Sequence, residues 1–138
     1  MSASIPLPLD PGQWRVMMAD DHVESLMIIK MLMEHHHAQC LTVNSGLACL
    51  EQLPDYDPNV LLLDLQMPKK SGWEVMREVR AMPKYKDLLI IAVTAHTMEG
   101  DRAKIIGEGF SDHIPKPVKT RTFISEIQEI ISRINALV

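Results

Sequence analysis

The chain has 138 residues, of which 46% are hydrophobic and 23% are charged, a composition typical of one folded domain. Fourteen Lys and Arg against eighteen Asp and Glu give a formal net charge of −4, which disfavours non-specific nucleic-acid binding. Cys40 and Cys49 form neither a CxxC motif nor a disulfide framework, and the start of the chain lacks the pattern of a signal peptide. The apolar runs are far shorter than the roughly 20 residues of a membrane span. We therefore expect a cytoplasmic domain that binds no nucleic acid and does not insert into a membrane.

Residues 1–13 contain three prolines and one glycine, so we expect an extended arm there and a single domain over 14–138. Within that domain, short apolar segments alternate with segments of helical periodicity. Strands are predicted at 14–19, 40–43, 59–64, 88–93 and 110–114. Helices are predicted at 23–33, 46–53, 73–81, 98–106 and from 120 or 122 to the end of the chain.

Two patterns refine the predicted helices. Asp21 and Glu24 have the spacing of a capping signal at the start of the first helix. Apolar residues of the last helix form one stripe that would dock on the sheet, at positions 123, 124, 127, 130, 131, 134 and 137.

The predicted strands at 59–64 and 88–93 are almost wholly apolar. Such runs are typical of parallel strands covered by helices on both faces of the sheet. Right-handed crossovers then give a doubly wound α/β fold with a five-stranded parallel sheet and five helices.

Polar side chains follow four of the predicted strands, and the carboxyl ends of parallel strands meet at one edge of the sheet. Asp20 and Asp21 follow the first strand, Asp64 ends the third, Thr94 follows the fourth and Lys116 follows the fifth. Three neighbouring carboxylates need a cation to stay ionised together, and Mg²⁺ prefers such oxygen ligands. A carboxylate is also a competent nucleophile toward a phosphoryl group, whose oxygens the cation, Lys116 and Thr94 would neutralise.

Four short motifs carry a family resemblance: ADD at 19–21, LLLDLQMP at 61–68 with SG at 71–72, VTA at 93–95, and IPKP at 114–117. In this order and spacing, over about residues 14–136, the sequence resembles the receiver domain of two-component response regulators. The resemblance implies a flavodoxin-like, CheY-like receiver with strand order 2-1-3-4-5.

The resemblance also implies the residues of a phosphorylation site. Asp64 would be the phosphoacceptor. Asp20, Asp21 and Asp64 would bind Mg²⁺ or Mn²⁺, with the main-chain carbonyl of Gln66 as a further ligand, and no other cofactor is expected.

Other positions would control the response to phosphorylation. Thr94 would be the switch hydroxyl and Lys116 the partner of the phosphoryl oxygens, and the Lys116–Pro117 bond resembles one that is usually cis in the family. His113 stands where the family usually has the Tyr or Phe of the switch. Gln66 and His96 occupy positions that tune the lifetime of the phosphoryl group.

The resemblance implies a signalling protein rather than a metabolic enzyme, with Mg²⁺-dependent self-phosphorylation and autodephosphorylation at Asp64. A sensor histidine kinase or a histidine phosphotransfer protein would be the donor, and a downstream protein would be the target. No output domain follows the last predicted helix, so a stand-alone regulator is expected, with a receiver excised from a larger hybrid kinase as the alternative.

Two other functions stay open. A receiver-like adaptor would bind partners without phosphorylation or magnesium. A magnesium phosphatase is disfavoured, because Gln66 stands where such enzymes carry a second Asp. A homodimer is also expected, through the face formed by the helix from Met98 to Ile106 and the helix from Thr120 to Val138.

Overall fold

Strands and helices alternate along residues 7–95 and 101–137, the part of the chain that this computed structural model describes. The strands are β1 (Arg15–Ala19), β2 (Gln39–Val43), β3 (Val60–Leu63), β4 (Leu89–Thr94) and β5 (Asp112–Pro115). The helices are α1 (Val23–His35), α2 (Gly46–Tyr56), α3 (Gly72–Ala81), α4 (Asp101–Glu108) and α5 (Phe123–Asn135). Among these described segments, no helix combines the length and apolar character needed to cross a bilayer.

The five strands form one parallel sheet in the order β2-β1-β3-β4-β5, which confirms the predicted fold. Successive side chains of a strand point to opposite faces. Val16 and Met18 of β1 therefore pack with α1 and α5 on one face, whereas Met17 and Ala19 pack with α2, α3 and α4 on the other. The two apolar layers hold the carboxyl ends of β1, β3, β4 and β5 side by side.

Helix α5 docks on the sheet through most of its predicted apolar stripe, at the buried residues Phe123, Ile124, Ile127, Ile130 and Ile131. The end of the stripe was predicted wrongly. The helix stops at Asn135, so Leu137 lies beyond its end, and 87% of its surface is exposed.

The predicted cap of α1 is also wrong. The N-cap residue is His22, and no side-chain capping bond forms there. The Asp21 carboxylate instead lies 3.2 Å from Nδ1 of the His22 ring. By contrast, α2 begins as predicted, since the Ser45 hydroxyl accepts a bond from the Ala48 N–H.

Part of the predicted N-terminal arm contacts α5, through hydrogen bonds at Leu7 and Leu9. The Leu7 N–H donates to Oδ1 of Asn135 at 2.9 Å, and Nδ2 of Asn135 donates to the Leu7 carbonyl at 3.0 Å. Pro11–Gln13 form a single 3₁₀ turn. The remainder of the predicted arm, residues 1–6, lies outside the described residues.

Helix α3 begins in contact with the end of β3. A Cβ atom on Gly72 would lie 2.2 Å from the main-chain oxygen of Asp64, so only glycine allows this approach. Ser71 and Glu74 close a capping box at the same helix start. The start of α3 therefore fixes the backbone that carries Asp64.

We expect Gly72→Ala to lower the free energy of unfolding by about 2 kcal/mol, because the added methyl group meets rigid backbone. Gly107→Ala is the matched control, since nothing lies within 4 Å of its Cβ position in α4, and alanine stabilises a helix by about 1 kcal/mol relative to glycine. Urea unfolding of both variants measures the difference. Equal unfolding midpoints would contradict the proposed close approach.

Candidate functional site

A cleft of about 690 Å³ opens at the carboxyl edge of the sheet. It is lined by Asp21, His22, Val23, Glu24, Ser25, Asp64, Gln66, Thr94, Ala95 and Lys116. The structure thus brings five of the predicted site residues into one cavity. Asp20, the sixth, is fully buried beside them.

Three carboxylates meet in this cleft because β1 and β3 are neighbours in the sheet. Asp20 directly follows β1 and Asp64 directly follows β3, and both side chains are buried. The more exposed Asp21 completes the group. One ligand atom from each of these residues and one from His22 lie within 4.8 Å of one another.

Lys116 carries the positive charge that reaches into the acidic cluster. Its Nζ lies 2.7 Å from Oδ2 of Asp20 and 3.6 Å from Oδ2 of Asp64. The lysine directly follows β5, and its N–H donates to the Thr94 carbonyl at 2.9 Å. The Lys116–Pro117 bond is cis, as the resemblance implied. The ammonium is therefore shared between two buried carboxylates.

The environment pushes the two buried carboxyl groups in opposite directions. Burial, followed by the charge of Asp20, raises the pKa of Asp64 to about 6. Burial also acts to raise the pKa of Asp20, but bonds from the Lys116 ammonium and the His22 N–H outweigh it, so this pKa is below its ordinary value. Without a dication, the Asp20 carboxyl group ionises more readily than an ordinary aspartate, and the Asp64 carboxyl group ionises less readily.

The donor set fits a hard divalent cation. Carboxylate oxygens are the ligands that Mg²⁺ prefers, and a dication would favour the ionised form of Asp64, whose pKa is raised by burial and by the charge of Asp20. Within residues 7–95 and 101–137, one group of three or more His, Cys, Asp or Glu side chains could hold a metal ion, and Asp20, Asp21 and Asp64 belong to it. The Gln66 N–H donates to Oδ1 of Asp64 at 3.3 Å, and the ligand role of the Gln66 carbonyl stays a prediction.

The predicted switch residues occupy adjacent strands. Thr94 ends β4 and is buried at the wall of the cleft. His113 pairs with Ala92 across β4 and β5, and its Nδ1 is buried with no hydrogen-bond partner within the described ranges. His96, predicted to tune the lifetime, lies outside the described residues, as does Met98 at the predicted dimer face.

His22 is a member of the site that the sequence patterns did not identify. It follows the acidic pair directly, and its ring lies 3.1 Å from Oδ1 of Asp20. The sequence feature that could have identified it is its position directly after Asp20 and Asp21, the two carboxylates that follow β1. The sequence pattern at this position predicts only the start of a helix.

We expect Asp64→Asn to stabilise the metal-free protein at pH 7.5 by about 2 kcal/mol, because it removes a carboxylate that is costly to ionise. The folded pKa of about 6 lies above the ordinary 3.8, so the folded state holds the extra proton between these values. Stability conferred by that proton is lost as pH rises through 6. The stabilisation by Asp64→Asn is therefore largest above pH 6 and disappears near pH 4. Thermal unfolding at pH 7.5 and at about pH 4 would measure the difference.

Asp55→Asn is the control for this measurement. It makes the same chemical change at an exposed position of α2, so we expect the unfolding temperature to change little at either pH. An Asp64→Asn variant no more stable than this control at pH 7.5 would contradict the strained carboxylate.

Solved structures of response regulators have the same fold as this chain. The CheY4 chemotaxis response regulator of Vibrio cholerae has the same fold, with a TM-score of 0.78 and 21% identity over 83% of this chain and 96% of that one. A response regulator receiver domain protein from Clostridium thermocellum superimposes with a TM-score of 0.75 and 26% identity, covering 89% of this chain and 98% of its own.

Similar sequences include two kinds of signalling protein. The polar-differentiation response regulator DivK of Brucella ovis is 29% identical over 116 residues, which are 84% of this chain and 94% of DivK. The signal transduction histidine-protein kinase BarA of Shigella flexneri is 32% identical over 104 residues, which are 75% of this chain and 11% of BarA. The family model of the response regulator receiver domain matches residues 16–128. The chain therefore belongs to the response regulator receiver domain family.

Proposed function

We propose that this chain is a phosphorylation-dependent switch in which Asp64 accepts a phosphoryl group from a histidine kinase or a histidine phosphotransfer protein. The observation that carries the proposal is the position of the Asp64 carboxylate. It lies in an open cleft, with a lysine ammonium 3.6 Å away and two further carboxylates beside it. This arrangement holds a nucleophile next to groups that neutralise a phosphoryl group.

The transfer would be a displacement at phosphorus. An Oδ atom of Asp64 forms the new P–O bond, and the P–N bond of the donor phosphohistidine breaks, with its electron pair leaving on the imidazole. Mg²⁺ or Mn²⁺, held by Asp20, Asp21, Asp64 and the Gln66 carbonyl, would neutralise the phosphoryl oxygens. Hydrolysis of the aspartyl phosphate by water would return Asp64 and inorganic phosphate.

Lys116 and Thr94 would convert this chemistry into a change of shape. The ammonium of Lys116 already contacts Asp20 and Asp64, so a phosphoryl group on Asp64 gives it a new partner without a long movement. Thr94 lines the same cleft, and its hydroxyl would donate to a phosphoryl oxygen. Movement of Thr94 would bias a two-state equilibrium through its neighbouring strand β5, where His113 replaces the usual aromatic residue.

A protein target would recognise the phosphorylation state of Asp64 at the surface formed by α4, β5 and α5. Buried Asp112 of β5 joins its two helices, since Arg102 of α4 lies 3.1 Å and Arg133 of α5 lies 3.0 Å from its carboxylate oxygens. A shift of α4 would therefore alter the charges of this surface. The predicted homodimer would use the same surface, and it stays a prediction.

The phosphodonor would dock on α1, beside the cleft. Val23, Met27 and Met31 recur every four residues and form an exposed apolar stripe. Ile28 of the same helix borders a second cleft of about 290 Å³ that also contacts Lys116. A helix bearing a phosphohistidine and packed on this stripe would bring its imidazole to the mouth of the Asp64 cleft.

Three observations bear on whether the domain stands alone and on the compartment in which it works. The match to DivK covers 94% of that protein and favours a stand-alone regulator, whereas the match within BarA favours a receiver of a hybrid kinase. Cys40 and Cys49 are both buried free thiols, which fits the reducing cytoplasm. The stand-alone cytoplasmic regulator is our proposal.

We expect acetyl phosphate and Mg²⁺ to add one phosphoryl group to the wild-type chain, and intact-protein mass spectrometry measures it. The gain should disappear with EDTA and in Asp64→Asn, because the nucleophile or its metal is missing. Asp55→Asn is the control and should be labelled like the wild type. Labelling that survives in Asp64→Asn would refute the assignment of the phosphoacceptor.

If neither acetyl phosphate nor beryllofluoride with Mg²⁺ has any effect on the wild-type chain, the adaptor function would be favoured instead. Amide NMR spectra would detect beryllofluoride binding even where small phosphodonors fail to react. An adaptor would show no magnesium-dependent change at Asp64.

The docking proposal predicts different results for two phosphodonors. With a histidine kinase that labels the wild-type chain, we expect Met27→Glu to slow transfer at least about fivefold, because a charge is placed in an apolar contact. Labelling by acetyl phosphate should be unchanged. Leu47→Glu is the matched control, since Leu47 is 59% exposed on α2 and Met27 is 58% exposed on α1. Equal slowing by both variants would contradict docking on α1.

A further inference from the structure

We propose that His22 is a ligand of the divalent cation, so that this site favours a transition-metal ion such as Mn²⁺ over Mg²⁺ more strongly than three carboxylates alone would. The inference rests on the proposed function in one respect: it requires a dication in the cluster of Asp20, Asp21 and Asp64. It adds a nitrogen donor to that oxygen site and names the class of ion that the nitrogen selects.

The ring of His22 is already in position. Its Nδ1 lies 3.1 Å from Oδ1 of Asp20, 3.2 Å from Oδ1 of Asp21 and 3.9 Å from Oδ2 of Asp64. Adjacent ligand atoms of an octahedral ion with bonds of about 2.1 Å are about 3 Å apart, and opposite ones about 4.2 Å apart. The distances from Nδ1 to the three carboxylate oxygens therefore fall within the range of ligand atoms around one cation.

The Asp20 carboxylate also holds the backbone of His22. Its N–H donates to Oδ1 of Asp20 at 2.9 Å, and the residue occupies the N-cap of α1. The side chain makes no capping bond and is 66% exposed. The imidazole therefore does not cap α1 but faces the carboxylates of Asp20 and Asp21, where it is accessible to an ion that enters from the cleft.

The chemical preference follows from the donor. Imidazole nitrogen is a good ligand for first-row transition ions, whereas Mg²⁺ strongly prefers oxygen and retains water. A histidine that only balanced the charge of the acids would be displaced when a dication arrived. A ligand would stay within bonding distance of the ion, and this difference can be measured.

Pulsed electron paramagnetic resonance of Mn²⁺ bound to the full chain tests the inference, since a directly bound imidazole gives a ¹⁴N modulation. We expect the modulation in the wild type and its loss in His22→Asn, which keeps a favourable N-cap residue. His35→Asn is the matched control, because it removes another exposed imidazole of α1 and should leave the signal intact. Displacement of Mn²⁺ by excess Mg²⁺ would place both ions in one site.

Calorimetric titration supplies a second measurement. In His22→Asn we expect the Mn²⁺ dissociation constant to rise about tenfold and that of Mg²⁺ to change less than about threefold. Equal weakening of both ions would overturn the inference, because His22 would then act on the carboxylates rather than on the metal.

The remaining outcomes separate this inference from the proposed function. Mn²⁺ that Mg²⁺ displaces but that shows no ¹⁴N modulation would overturn the ligand role of His22 and leave the phosphorylation site standing. Mn²⁺ binding that is unchanged in both Asp21→Asn and Asp64→Asn would overturn both, because no dication would then occupy the cluster.

Discussion

The shared ammonium of Lys116 is the interaction on which the candidate site depends. It lies 2.7 Å from Asp20 and 3.6 Å from Asp64, and it allows buried carboxylates to share one edge of the sheet. One ammonium does not balance three carboxylates, and burial, followed by the charge of Asp20, raises the pKa of Asp64 to about 6. This excess of negative charge is what supports the proposal that a dication binds here and that Asp64 accepts a phosphoryl group.

Packing of the fold holds these charged side chains close together despite their repulsion. Apolar layers on both faces of the sheet, with Met17 and Met18 of β1 facing opposite sides, hold the strand ends in register. The missing side chain of Gly72 lets α3 begin against the backbone of Asp64. Repulsion among the acids is thus opposed by rigid packing rather than relieved by movement, which keeps the cluster ready for a cation.

The sequence was sufficient to predict the sheet, its helices and most of the charged residues that meet at the cleft, His22 excepted. Apolar runs and helical periodicity are local signals, and strand ends that carry Asp64 or Lys116 converge because of the topology alone. What these local signals do not predict is which contacts individual side chains make. The attachment of Leu7 to Asn135 and the exposure of Leu137 depend on where α5 meets its neighbours. The spacing of Asp21 and Glu24 likewise does not reveal that Asp21 faces the ring of His22.

The most direct test of this account is the pKa of the Asp64 carboxyl group itself. Carbon-13 NMR of labelled aspartate side chains, with Asp64→Asn to assign the resonance, measures it in the presence and absence of Mg²⁺. The account predicts a pKa near 6 without metal and a value well below that when Mg²⁺ is bound. An Asp64 pKa that is ordinary without metal and unchanged by Mg²⁺ would contradict both the strained carboxylate and its role beside a dication.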